Sequence, residues 1–398
     1  MKRIFTFAII IVATIIIVAG DMFAIPAFAR KYNMSCKTCH SPIPYLKPYG
    51  NEFAANGFVL KDKDAPRYFV ETGDDRLSLI RDFPLAVRVQ GYVTYNEDKN
   101  EQFDIGTPSS FKIMSGGAIT NDVSYYAYYI LENGEPGKIE DAWLLFKSLF
   151  GSGLDVTVGQ FQVSDPIFKR ELRLTSEDYK IYKVRPGKSM IDLTYDRGVT
   201  FAYTLPTSTD LVLEVVNGSG IGELYSNNLF DRDKYKNLMG RISQGVTENL
   251  RIGAMGYYGN EKMDADTIFT GTNEIWMAGA DATLLFNLFE LNVQYVYRND
   301  KNPILLADGG VLYITPPENW KTQGGFAELI FRPQGDESNW YMVALYNQVN
   351  SDDKSLDYKS VSGHIGYLLR RNIRLVGECI YDIKNEYAKF NVGFVTAF

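Results

Sequence analysis

Ala388-Lys389-Phe390-Asn391-Val392-Gly393-Phe394-Val395-Thr396-Ala397-Phe398 closes the chain, and its alternation decides the fold. Successive side chains of a strand point to opposite faces. Phe390, Val392, Phe394, Thr396 and Phe398 therefore share one face, while Lys389, Asn391, Gly393 and Ala397 share the other. In a soluble sheet the aromatic face would stay bare unless a second layer covered it. A strand with lipid outside and a watery lumen inside has a use for both faces.

The same alternation recurs upstream in segments of roughly ten residues, separated by Gly, Asn, Asp and Pro clusters. From Phe83 onward it predicts strands at 83-96, 109-119, 123-131, 139-148, 153-163, 195-205, 210-217, 234-246, 249-259, 274-286, 291-299, 321-332, 339-349, 358-370, 373-383 and 388-398. The connections alternate in length. Stretches 97-108, 164-194, 218-233, 260-273 and 300-320 are long, whereas Asn121-Asp122, Gly151-Ser152, Thr247-Glu248 and Arg371-Asn372 are short. A sandwich has no reason to keep this parity, but an outer-membrane barrel has short periplasmic turns, long outer loops and an even strand number. The expectation is an all-β, 16-stranded porin-like barrel over 83-398, and the terminal Phe398 is similar to the assembly signal of such proteins.

Composition agrees. The 398 residues include 27 Tyr, 24 Phe and 34 Gly, with charged residues at 22%, too apolar and too aromatic for a disordered chain. A net charge of -7, with no basic run beyond the extreme N-terminus, argues against a nucleic-acid partner. Three cysteines make no disulfide framework, and two histidines, His40 and His364, exclude a multi-His metal centre and almost any multihaem array. At the N-terminus, Lys2-Arg3, the apolar run Ile4 to Ala19 and the small residues after it read as a secretory signal. Cleavage could follow Ala24 or Ala29, and 1-24 is taken as the signal peptide. The alternative is an uncleaved anchor. No later segment approaches the ~18 consecutive apolar residues of a spanning helix.

Between signal and barrel, in 25-82, lies the chemistry. Cys36-Lys37-Thr38-Cys39-His40 is a C-x-x-C-H sequence. Two thiols three positions apart can add to the two vinyl groups of one porphyrin, and the adjacent imidazole then lies under the iron. A redox pair or half a zinc site is the other reading of C-x-x-C, but no second C-x-x-C or His pair completes four ligands. Downstream, Leu46, Gly50, Phe53 and Gly57 recur at helical intervals, predicting a short helix that ends at Gly57.

Pro26-Ala27-Phe28-Ala29-Arg30, Met34-Ser35 before Cys36, and the Pro-Leu-Gly-Phe-Gly-Phe series after His40 resemble the N-terminal signature of the fused monohaem cytochrome-porin family of iron-oxidising bacteria. The match covers about residues 24 to 60; beyond it Val158-Gly159-Gln160-Phe161 and Asp165-Pro166 resemble phosphate-selective porins. The resemblance implies one covalent haem c, attached through Cys36 and Cys39 with His40 as proximal ligand. It implies an outer-membrane electron conduit from an extracellular donor such as Fe(II) to a periplasmic cytochrome c. A solute-selective porin with a haem-bearing plug, or outward electron flow, are the alternatives. Whether the chain counts as a ferrous-iron oxidase is left open, and porins are often homotrimers.

The sixth ligand stays open. His364 falls on the Ser362/Gly366 face of its strand, turned to the lumen, as a distal ligand or as an ordinary pore-lining residue. Met34 sits close to Cys36, and Met114 is a further candidate. Cys379 shares a face with Leu375 and Tyr381, toward lipid. Apart from 164-194, the seven connections on the long-loop side (97-108, 132-138, 218-233, 260-273, 300-320, 350-357 and 384-387) carry 19 acidic and 7 basic residues, including Glu97-Asp98, Asp264/Asp266 and Asp352-Asp353. Such a mouth would concentrate cations, or bridge surface lipopolysaccharide through divalent ions. Loop 164-194 has 7 basic and 5 acidic residues and could fold inward as a constriction.

Overall fold

The computed structural model describes residues 27-60, 69-70, 72-81, 83-98, 102-132, 134-225, 228-265, 269-303, 305-306, 312-313 and 319-398. The signal peptide 1-24 lies outside the described residues. Sixteen antiparallel strands close into one barrel: β1 Leu85–Asn96, β2 Gln102–Ala118, β3 Val123–Glu132, β4 Lys138–Phe146, β5 Asp155–Gln162, β6 Tyr195–Leu205, β7 Thr209–Val216, β8 Asn237–Thr247, β9 Leu250–Ala265, β10 Phe269–Phe286, β11 Phe289–Asp300, β12 Trp320–Phe331, β13 Trp340–Ser351, β14 Tyr358–Arg370, β15 Ile373–Asp382 and β16 Tyr387–Ala397. Each pairs with its sequence neighbours, and β16 closes on β1 from Lys389↔Asn96 to Ala397↔Arg88.

The outer face is apolar, with Val392 57%, Ile365 47% and Phe390 39% exposed, and Cys379 lies exposed on it. The inner face buries Glu214, Asn273, Asn347 and Ser360. This inside-out distribution is stable only with hydrocarbon outside, and closure leaves no unpaired strand edge there. The chain is an outer-membrane β-barrel.

Two predicted outer loops are largely strand. β2 starts at Gln102 rather than 109, and β9 and β10 run on to Ala265 and back from Phe269 through the expected loop 260-273. In β2, Phe103 and Ile105 alternate with polar residues but Gly106 and Pro108 read as a break; beyond Gly259 the residues are mostly polar, so the ladder continues without the apolar alternation that marks it elsewhere.

Among the described residues two short α-helices precede the barrel: α1 Ala27–Tyr32 and α2 Pro48–Ala55. Pro48 opens α2, where its missing N–H costs nothing. Gly57, at φ +65°, ends it as the spacing predicts. Phe53 is buried against Phe28, Tyr32 and Phe58. Phe58 carries this cluster onto the wall, 5.1 Å from the Tyr126 ring and 6.3 Å from that of Trp143.

Residues 163-194, between β5 and β6, fold into the lumen. Tyr179 stacks on Phe326 of β12 at 4.0 Å and 12°. Ile167, Ile181, Tyr182 and Ile191 pack with Met239, Met255, Ile275, Met277 and Leu345 of the wall into an apolar core inside the barrel. Arg298 secures it, donating to the carbonyls of Val184 and Ile191 at 2.9 and 2.7 Å and to Ser189 Oγ, while pairing with Asp300 at 2.7 Å. The expected constriction is therefore present, and it is packed against the wall rather than hung in water.

Candidate functional site

The short connections 206-208, 248-249, 287-288 and 371-372, with the C-terminus, define the periplasmic end. There the N-terminal segment docks across the lumen. Arg332 donates to the Ser41 carbonyl at 2.9 Å and Arg374 to the Ile43 carbonyl at 3.1 Å. Tyr45 donates to Glu290, Lys37 pairs with Glu337, and Lys47 pairs with Asp336 at 3.0 Å.

A cavity of ≈ 310 Å³ lies between this segment and the wall. Cys36, Cys39 and His40 line it together with Phe28, Ile43, Leu46, Phe53 and Phe58. β1 to β4 add Arg88, Lys112, Met114 and Trp143, the constriction adds Glu171, and the last turn and strands add Arg371, Arg374 and Val395. Ser35 accepts from Lys37 N–H, and the amide of His40 returns to the Cys36 carbonyl at 2.9 Å, so a tight turn brings both thiols and the imidazole to one side.

His40 Nδ1 is 2.7 Å from the Pro44 carbonyl. A carbonyl only accepts, so Nδ1 carries the proton and the lone pair is on Nε2, the arrangement a metal-ligating histidine needs. Burial holds the imidazole below its ordinary pKa, against the opposing Pro44 carbonyl, so it is neutral near pH 7. Burial also raises both thiols, and Cys36 raises Cys39 further. Neither is the activated thiolate of a dithiol redox pair. This donor set, an apolar cavity and a neutral imidazole with a free Nε2, fits a c-type haem held by Cys36, Cys39 and His40.

Gly50 of α2 makes the approach of the helix to the Cys36–His40 turn possible: a Cβ there would overlap the Cys39 carbonyl and lie 2.9 Å from Leu46 Cδ2. Gly50→Ala is expected to cost about 1-3 kcal/mol of docking. Limited proteolysis checks this, the variant being cut between residues 27 and 60 faster than the parent while its barrel stays intact.

His364 faces the lumen, 5% exposed, as expected. It does not line the cavity, and both ring nitrogens are taken: Nδ1 meets Glu378 at 2.7 Å and Nε2 meets the Tyr341 hydroxyl at 3.3 Å. In this arrangement His364 is a pore-lining residue with partners on both ring nitrogens and is separate from the cavity that Cys36, Cys39 and His40 line. Glu378 in turn accepts from the amides of Ser176 and Glu177 at 2.7 and 2.8 Å, so His364 steadies a carboxylate that holds the constriction loop. His364→Ala is expected to leave haem absorption unchanged, and a shifted spectrum would restore the ligand role. Met34 and Met114 both reach the cavity. Sequence spacing could not place Met114 there, because only barrel closure sets β2 against the N-terminal segment.

Among the described residues of the acidic mouth, as elsewhere among them, no three His, Cys, Asp or Glu side chains are grouped so as to hold a metal ion. Asp352 and Asp353 instead cap backbone, accepting from the amides of Lys321 and Ser355 at 2.8 and 3.1 Å. Asp266 lies outside the described residues.

Charge also fixes the inner end of the constriction. Lys112 pairs with Glu171, and Asp178 is 2.7 Å from both Arg170 and Lys183. Burial would raise the Glu171 carboxyl, but Lys112, Arg173 and Arg170 outweigh it and bring it down to about 2. The stabilisation is fully present above the ordinary value of 4.5 and is lost as pH falls from there toward 2. At 1.36 kcal/mol per unit this amounts to about 3 kcal/mol. Hydrogen exchange of residues 163-194 should rise over that window, and Glu171→Gln should reduce the dependence, leaving the part that Asp178 contributes through Arg170, Arg173 and Lys183.

No protein-family model and no curated protein matches the chain. Among solved structures it is similar to OmpF of Salmonella typhi in complex with daunomycin, at TM-score 0.56 and 12% identity, over 79% of this chain and 97% of that one. OmpT of Vibrio cholerae in its trimer form gives 0.52 at 11%, over 80% and 99%. An anion-selective porin from Comamonas acidovorans gives 0.54 at 11%, over 80% and 99%. What they share is the fold, a sixteen-stranded porin-type barrel.

Proposed function

We propose that this outer-membrane barrel is an electron-transfer protein of the cytochrome-porin type. It would hold one covalent haem c at its periplasmic end and connect an extracellular donor, Fe(II) first among candidates, with a periplasmic cytochrome c. The observation that carries the reading is the convergence of Cys36, Cys39 and a neutral His40 on one apolar cavity. Bound there, a haem supplies a one-electron Fe(III)/Fe(II) couple. His40 orients its Nε2, Phe28, Phe53 and Phe58 limit water, and the Arg332 and Arg374 contacts keep the segment in the periplasmic mouth. The wall insulates this path from lipid.

The test is anaerobic stopped-flow mixing of the oxidised protein with Fe(II), followed in the reduced haem bands. Rapid reduction, absent in the Cys36→Ala/Cys39→Ala variant, supports the reading. A correctly loaded haem that Fe(II) fails to reduce sinks the donor.

A second reading is a solute porin whose haem segment is a plug, favoured by the porin folds it is similar to. Large steady conductance of the full chain in planar bilayers would decide for it. Those porins include a trimer, and we extend that assembly to this chain as part of the proposal.

A further inference from the structure

Two arginines of the barrel wall enter the same cavity as the C-x-x-C-H turn. Arg88 is on β1 and Arg374 on β15, with one strand between them: Ala397 of β16 pairs with Arg88 and Val395 with Arg374. Arg88 donates to Gln90 Oε1 at 3.2 Å, and Arg374 to the Ile43 carbonyl and, at 2.8 Å, to the Tyr341 hydroxyl. In both, Nε is buried with no partner. Neither makes an ion pair among the described residues, and the two are near enough to repel each other.

Other arginines of the lumen are matched. Arg298 has Asp300, Arg241 has Asp281 and Arg170 has Asp178. The nearby carboxylate Glu171 is already held by Lys112. Two guanidinium ions enclosed together with no ion pair of their own are costly, even with Glu171 near Arg88 and with Asp141 and Asp165 on the same cavity, whereas an anion with two carboxylates would neutralise both through strong charge-assisted bonds. A porphyrin carries that pair of groups, as propionates, on the edge away from the vinyl carbons that cysteines take. Arg371 also lines the cavity, from the short turn after β14 on the side of the Cys36 thiol and of Glu337, and serves as the comparison.

We propose that Arg88 and Arg374 bind the two haem carboxylates, so that the barrel wall itself is half of the haem site. This rests on the haem reading above. It makes the N-terminal segment and the barrel one redox unit, and rules out a haem segment that swings free into the periplasm to meet its partner. Two positive charges beside the porphyrin also favour the reduced state.

The experiment is resonance Raman spectroscopy of the purified, haem-loaded full chain, reading the propionate bending bands, with spectroelectrochemistry of the same samples. Arg88→Gln and Arg374→Gln are each expected to shift a propionate band and lower the midpoint potential. Arg88→Lys should recover the potential, and Arg371→Gln should leave the bands in place. A measurement without any variant guards against misfolding: in D2O the bands of the parent protein shift if guanidinium N–H groups donate to them. Bands unmoved by both glutamine substitutions and by D2O overturn the proposal, including the case in which the two arginines hold a free anion such as phosphate. A protein with no covalently attached haem ends the haem reading and this one together; a loaded protein with unmoved bands ends this one alone.

Discussion

Changing Cys36 and Cys39 together to alanine is expected to abolish covalently bound haem while leaving the barrel assembled. Haem-linked peroxidase staining after denaturing electrophoresis should fall at least about tenfold, to background, because no other pair of thiols faces the cavity: Cys379 is on the outer, lipid-facing surface. The barrel should still show heat-modifiable migration. Its ladder closes from β16 to β1 without any residue of the N-terminal segment. The docking contacts of that segment use side chains that project from the ladder, such as Arg374, Glu290 and Asp336, and none of the ladder's own backbone pairs. Haem that survives the double substitution, or a parent protein that never stains, would refute the assignment of Cys36, Cys39 and His40.

Arg298→Met should free the constriction. The guanidinium is 3% exposed and satisfies three groups of loop 163-194, and its loss leaves the Asp300 carboxylate, at 0%, without that partner. Breaking one side of a buried pair costs about 3-5 kcal/mol. The penalty falls on the loop rather than on the barrel, whose backbone ladder between β11 and β12 runs unbroken from Phe289↔Phe331 to Asp300↔Trp320. The expected result is a several-fold rise in single-channel conductance of the full chain in planar bilayers, with a barrel of unchanged thermal stability. Conductance equal to that of the parent would show that the apolar packing of Tyr179, Tyr182 and Ile191 holds the loop without Arg298.

The barrel was legible residue by residue because lipid outside and polar groups inside impose a period of two on every crossing. Phe390-Asn391-Val392 and His364-Ile365 point where that period puts them. Strand ends were less legible: Phe103 and Ile105 alternate with polar residues but Gly106 and Pro108 read as a break, and the residues beyond Gly259 are mostly polar on both faces. The apolar lumen core was hidden for the opposite reason. Met239, Met255, Ile275 and Met277 break the polar-inside rule because an inserted loop, far off in sequence, covers them.

The sequence by itself determined the sixteen strands, their outward and inward faces, and the C-x-x-C-H turn, all of which depend on neighbours a few residues apart. Only the tertiary structure decided which side chains share the cavity with that turn. It set His364 against Glu378 and Tyr341 and away from the cavity, and brought Met114, Arg88 and Arg374 to it. These groups come from separate strands, and their meeting follows from closing the ladder and docking the N-terminal segment in its mouth, which local spacing does not encode.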